Sequence, residues 1–192
     1  MIISDTIKII QLEEALVVEF KDVITLRKTT RKYLPEQISE SQLQAILLAA
    51  QTAPLATGDD KTTHLTVVQN PEIMERLRQC CQGISRKTNK PLDAFYGAPT
   101  VIFVSATDLS EDHIEYSNVA CVIENMLLAA TNEGLGSTYI WGCLDKLRQD
   151  SETLSLLSIP EGYEILSACA VGYPAKPLEP REPRERIAVT RI

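Results

Sequence analysis

Histidine is almost missing from this chain of 192 residues: only His64 and His113 occur. Two imidazoles so far apart leave little from which to build a zinc site or a histidine-based catalytic triad. The five cysteines, Cys80, Cys81, Cys121, Cys143 and Cys169, include no CxxC pair, and none stands near a histidine at metal-ligand spacing. They read as small apolar fillers with one or two free thiols among them, and no metal site is expected. Long apolar runs are missing too, since none approaches the ~20 residues that cross a bilayer. The opening MIISDTIKII carries two charges of opposite sign and no small-residue cleavage site. A cytoplasmic protein without membrane contact is the expectation. Positive charge is outnumbered, 19 Lys and Arg against 26 Asp and Glu, for a formal net charge of −7. A general nucleic-acid binder needs the opposite balance. No GxGxxG motif follows a strand, no Walker A lysine is present, and there is no internal repeat. The length suits one domain over residues 1–192 with a real core.

What is present is a sequence of well-signed elements. Glu13 to about Arg27 has helical spacing, with Leu12, Leu16, Phe20, Val23 and Ile24 on one stripe. Ser39 and Gln42 form a capping box ahead of LQAILLAAQTA, which runs to Pro54. HLTVVQ reads as a strand, and Asn70-Pro71 as the start of a helix reaching about Gln82. TVIFVSA (Thr100–Ala106) is a continuous apolar run of the kind buried on both sheet faces. The longest helix spans about Asp112 to Glu133, is apolar nearly all round, and ends at Gly134. A strand at Ser137–Ile140, a helix around Leu144–Leu157 and a strand in YEILSACAVGY follow. Beyond it, PAKPLEPREPRERIAVTRI is too rich in proline for a helix or central strand and should run extended over a surface. The sum is an α+β or α/β protein of roughly four strands with a central helix.

Against the acidic balance, TLRKTTRKYLP (Thr25–Pro35) places four cations in eleven residues. Forked guanidiniums, an ammonium and hydroxyls suit a phosphate monoester; the same cluster would also suit a solvated helix C-terminus. The tail adds Arg181, Arg184 and Arg186, alternating with Glu179, Glu182 and Glu185. Two basic segments far apart in an acidic chain could converge on one small anion, or the tail charges could simply keep an arm soluble. NEGLGSTYIWGCLD (Asn132–Asp145) ends a helix, turns into a strand and stops at Gly142, where backbone can approach a ligand. AAQTAPLATGDDKTT (Ala49–Thr63) leads from a helix into small and turn-forming residues.

Taken in order, these four segments resemble the FMN-dependent nitroreductase family over about Phe20 to Ile192. Arg27-Lys28-Thr29-Thr30-Arg31-Lys32-Tyr33 is similar to its opening R-R-S-x-R-x-F stretch, ILLAAQTAPLATGD to its ILEAARWAPSAGN helix, NMLLAATNEGLGS to its long central helix, and VGYPA to the end of its closing strand. The resemblance implies an α+β, three-layer fold: a mostly antiparallel central sheet flanked by helices, a long interface helix, and an extended arm over 174–192, with residues 1–19 as an N-terminal extension. It implies FMN as cofactor, NADH or NADPH as electron donor, and a homodimer with FMN at its interface acting on a small electron-poor acceptor. Arg27, Lys28, Thr29 and Arg31 would grip the phosphate and ribityl chain from one side, Arg184 and Arg186 from the other. Pro54, Leu55 and Ala56 would come from the partner subunit, and Trp141 and Gly142 would turn backbone amides toward flavin N5. No catalytic side chain is implied, because N5 carries the hydride. Relatives also reach the ring from the segment before TVIFVSA, where Asn89 or Lys90 would serve. Two departures stand out: Asp59 replaces an asparagine in the loop after Pro54, and Trp141 replaces a small or acidic residue.

Overall fold

An apolar run of seven residues must be covered on both faces, and Thr100–Ala106 is buried from end to end. The computed structural model describes residues 19–182 and 184–192. Helices α1 (Phe20–Leu26) and α2 (Glu40–Gln51) precede β1 (Thr63–Val68) and α3 (Pro71–Cys80). A short ribbon of β2 (Gly83–Ile84) and β3 (Pro91–Leu92) leads to β4 (Thr100–Ala106) and the 19-residue α4 (Ile114–Asn132). β5 (Gly136–Ile140), α5 (Leu144–Gln149), α6 (Ser151–Ser155) and β6 (Glu164–Gly172) complete the order. The main sheet runs β1-β4-β6-β5 with every pair antiparallel.

Strand alternation sorts the central strand between two cores. Ile102, Val104 and Ala106 join α2 and α4 on one face through Ile46, Ile123 and Met126. Val101 and Phe103 join α3 and α5 on the other through Met74, Leu77 and Leu144. Helices, sheet and helices thus make three layers. In β6, Leu166 falls at a register shift opposite Val104 and Ser105, so the parity of its inward residues changes there and both cores remain filled.

Local chemistry sets several boundaries as the sequence predicts. Ser39 and Gln42 make the reciprocal capping box. Asn70 accepts from Glu72 and Ile73 amides, and Gly134 follows α4 with φ +72°. Other boundaries differ. Glu19 is extended, so the first helix begins at Phe20; the part expected over Glu13–Val18, like the rest of the proposed extension, lies outside the described residues. α3 ends at Cys80, short of Gln82. The single helix expected over Leu144–Leu157 is two, because the Asp150 carboxylate accepts the Thr153 amide at 3.0 Å and starts a new turn. The hydrogen-bonded Asp150 carboxyl is correspondingly held below its usual pKa, chiefly by that amide. The β2–β3 ribbon has no counterpart among the elements expected from sequence.

α4 buries one stripe, Asn118, Val119, Val122, Ile123, Met126, Leu127 and Ala130. Its other flank stays open. Leu128 and Ala129 line an apolar groove of about 360 Å³ with Phe20, Ala45 and Ala49, and Phe20 is 69% exposed. Among the described residues, no helix is long and apolar enough to cross a membrane.

Candidate functional site

The basic stretch leaves α1 at Arg27 and becomes an extra strand beside β5. Thr29 bridges Ser137 in parallel, and the Thr30 amide donates to the Ser137 carbonyl at 2.9 Å. Thr138 Oγ1 donates to the Thr30 carbonyl, and the Tyr33 hydroxyl meets Thr138 Oγ1 at 2.8 Å. Burial raises the Tyr33 phenol well above its ordinary pKa, so it stays protonated as a structural donor. Approach this close needs glycine opposite: a Cβ on Gly136 would lie 2.6 Å from Thr30 Oγ1.

The tail comes back along the same stretch. Leu34 donates to Tyr173 at 2.9 Å, Ala175 to Lys32 at 3.0 Å, and the Arg181 amide to Thr25 at 3.0 Å. A cleft of about 320 Å³ opens between Lys28–Lys32 and Pro174–Glu179. The two basic segments therefore do meet. After partial burial, the neighbouring Arg27 and Arg186 guanidiniums are what lower the Arg181 pKa from its usual value, with Glu124 opposing them. Arg27 lies 3.6 Å from Glu124, whose side chain is half exposed. Arg27 and Arg186 both repel Arg181, Glu124 is the ion-pair partner of Arg27, and a further anion would relieve the repulsion. Sequence reasoning favoured Arg184 and Arg186 in the tail. Arg184 and Arg186 are both exposed, Arg186 acts on Arg181, and Arg181, outside the expected pair, is half-buried. Its position in the same alternating stretch was the available signal.

Trp141 and Gly142 stand at the other end, where β5 stops. They wall a cleft of about 250 Å³ with Leu92, Ala94, Tyr96, Tyr139 and Cys143. Trp141 is 65% exposed. The loop that brings Tyr96 is built on Asp93, whose carboxylate accepts the Phe95 amide at 2.8 Å and the Gly97 amide at 2.7 Å and faces Arg78 at 3.5 Å. Tyr96 itself holds φ +58°, an uncommon conformation for a bulky side chain. The Arg31 guanidinium lies 6.0 Å from the centre of its ring, which joins the charged end to the cleft. Asn89 and Lys90 do not reach this cleft; they sit exposed at the tip of the β2–β3 ribbon, where the Asn89 amide donates to Ser85. Ala94 and Tyr96 from the same segment line the cleft, and nothing in the composition of that segment marks them.

Pro54, Leu55 and Ala56 stand apart, since neither cleft includes them. Leu55 packs on the α2–α4 core, and the Ala56 amide donates to Asn118 Oδ1 on α4 at 2.8 Å. A larger cleft of about 610 Å³, between Arg148 and Tyr163, contains no predicted residue. Among the described residues no group of His, Cys, Asp and Glu could hold a metal ion.

Comparison with known proteins points in one direction. The family model described as the nitroreductase family matches residues 24–173. An Archaeoglobus fulgidus protein with the provisional name NADH dehydrogenase/NAD(P)H nitroreductase is 26% identical over 172 residues, covering 88% of this chain and 94% of its own. A Bacillus subtilis protein named FMN reductase [NAD(P)H] is 23% identical, covering 85% of this chain and 70% of its own. A Bacteroides fragilis nitroreductase crystallised with bound FMN superposes with a TM-score of 0.75 at 28% identity, covering 91% of this chain and 98% of its own.

Proposed function

The chain belongs to the nitroreductase family, and from that footing we propose that it is a single-domain, FMN-dependent NAD(P)H oxidoreductase. The observation that carries the reading is the approach of the tail arginines Arg181 and Arg186 to Arg27, on a segment bridged to β5, the strand that Trp141 and Gly142 follow. A phosphate monoester matches that charge surplus. The other end fits a flat ring: a Cβ on Gly142 would meet nothing within 4 Å, so no packing inside the chain requires glycine there. Its bare backbone leaves room for a bound ring to come close. FMN in the Bacteroides fragilis structure and the name of the Bacillus subtilis relative support the same cofactor and donor.

In this reading Arg27, Lys28, Thr29, Arg181 and Arg186 hold the phosphate and ribityl chain, with Arg184 free to join from the exposed tail. Arg31 and Tyr96 would border the ring, and Trp141 and Gly142 would offer backbone amides to it. FMN, when bound, supplies ping-pong hydride chemistry between NADH or NADPH and a nitroaromatic, quinone or similar electron-poor acceptor. Around it the chain's part is to orient and to shield: fixed amide dipoles favour the electron-rich form of the ring. Pro54, Leu55 and Ala56 complete the site from a second subunit, docked on the open apolar flank of α4. Five unpaired cysteines suit a reducing cytoplasm.

A second reading, a narrow acceptor range, has one observation in its favour. The exposed Trp141 indole stands on the cleft wall and restricts what can lie there. The Asp59 departure adds nothing to it, because that carboxylate accepts the Lys61 amide at 3.0 Å and fixes its own turn.

The test is an anaerobic absorbance spectrum of the full-length protein reconstituted with FMN, taken before and after NADH and then NADPH. Flavin bands that bleach with one donor and return with an electron-poor acceptor are expected. A protein that leaves FMN free in the filtrate would overturn the reading.

A further inference from the structure

Two of the five cysteines line the same cleft. Cys81 caps the C-terminus of α3 and is 1% exposed; Cys143 follows Gly142 and is half-buried. They come from segments 62 residues apart and pack into the same core cluster, yet both line the cleft beside Trp141. The backbones that carry them are tied together, because Lys146 Nζ, one turn beyond Cys143, donates to the carbonyl of Gln82, next to Cys81.

We propose that Cys81 and Cys143 form a dithiol redox site on the cleft, which a hydroperoxide oxidises to an intrachain disulfide. The inference stands on the cysteines and the cavity alone and does not depend on a bound flavin.

The pair is asymmetric in the way such a site requires. Hydrogen bonding from Cys81 lowers the Cys143 pKa, with Lys146 adding to the effect, while the same contact and burial raise that of Cys81. Cys143 is therefore the more acidic of the two and the member that a small oxidant can reach from the cleft. The Cys143 thiolate attacks the peroxide O–O bond, giving a sulfenic acid and releasing the leaving oxygen as an alcohol or water. Cys81 sulfur then displaces hydroxide from the Cys143 sulfur, and its proton leaves with that hydroxide as a second molecule of water. Two thiols lose two electrons and two protons, and the peroxide takes both. Low-molecular-weight thiols reverse the step by exchange.

The experiment treats the full-length protein, freshly reduced and desalted, with hydrogen peroxide and follows it by intact mass and peptide mapping after alkylation. The expected product has lost two hydrogens, joins the Cys81 and Cys143 peptides, and reverts with dithiothreitol. Cys169, fully buried with its thiol pushed up to about 12, stays reduced as an internal control. Before oxidation, Cys143 alkylates at neutral pH at least about tenfold faster than Cys169. In Cys81→Ser the link disappears and Cys143 gains oxygen instead. The proposal falls if wild-type Cys143 stays alkylatable after peroxide or is over-oxidised without linking. A linked product that persists in Cys81→Ser overturns it as well, because Cys80 would then be the partner. The wild-type map decides the matter even if the buried Cys81→Ser variant folds poorly.

Discussion

The two ends of the candidate site are built by opposite means. The charged end is extended backbone laid against a sheet edge, fixed by main-chain hydrogen bonds from Thr30, Leu34, Ala175 and Arg181. Its candidate groups are half-buried and exposed cations whose type alone announces them. The cleft end is made by packing: a ribbon, a turn held on Asp93, and a strand terminus, with Tyr96 in a left-handed conformation. Few of its groups are charged, and they come from three separate stretches, Cys81 to Gly83, Leu92 to Tyr96 and Tyr139 to Lys146. In the proposed reading, affinity resides where the chain is regular, and selectivity where it is irregular.

Substitutions can separate these contributions. The largest effect is expected at the charged end. Replacing Arg27 and Arg181 together by alanine removes two charge-assisted contacts of about 1.5–3 kcal/mol each, so FMN affinity should fall by a hundredfold or more. The same change relieves like-charge repulsion, so thermal unfolding of the FMN-free protein should stay put or move upward. Fluorescence titration and a melting curve check the two halves, and a melting temperature that falls as steeply as the affinity would show the cluster to be structural. Next in size is Gly136→Ala, which drives a methyl group into Thr30 and should cost about 1–3 kcal/mol by overpacking, read from urea unfolding, with FMN affinity dropping because the basic strand is pushed off β5. The smallest stability change is expected for Trp141→Ala. At 65% exposure its loss should shift stability by no more than about 0.5 kcal/mol, while KM for bulky acceptors falls and FMN affinity holds. Steady-state kinetics over acceptors of graded size checks this.

What was legible from sequence follows the same division. Capping residues act within three or four positions, so Ser39 with Gln42 and Asn70 with Pro71 could be read directly. The continuous TVIFVSA run gave the central strand to the residue, since burial on both faces leaves no other pattern. Apolar periodicity misled at Asp150, where Asp-Ser-Glu-Thr is itself a capping signal inside a run that reads as one helix. The β2–β3 ribbon has two residues in each strand, too short for any period to show. Charge left the convergence of the two basic segments open and the family resemblance implied it, while the choice among Arg181, Arg184 and Arg186 depends on where an extended tail crosses α1, which no local pattern encodes. Tyr96 and the Cys81–Cys143 pair owe their places to packing between segments distant in sequence, and neither carries a local mark.

The bridge between Thr29 and Ser137 has a consequence for solubility. β5 ends the main sheet, and a bare outer strand offers its amides and carbonyls to any other chain. Here Thr29 and Thr30 occupy part of that border, with the Thr30 amide donating to the Ser137 carbonyl and Thr138 Oγ1 donating to that of Thr30. The backbone that presents the cations is therefore also the guard rail of the sheet. Substitutions that detach it would leave a strand open to self-association, and crowded, ligand-poor conditions would expose that weakness before any loss of the core.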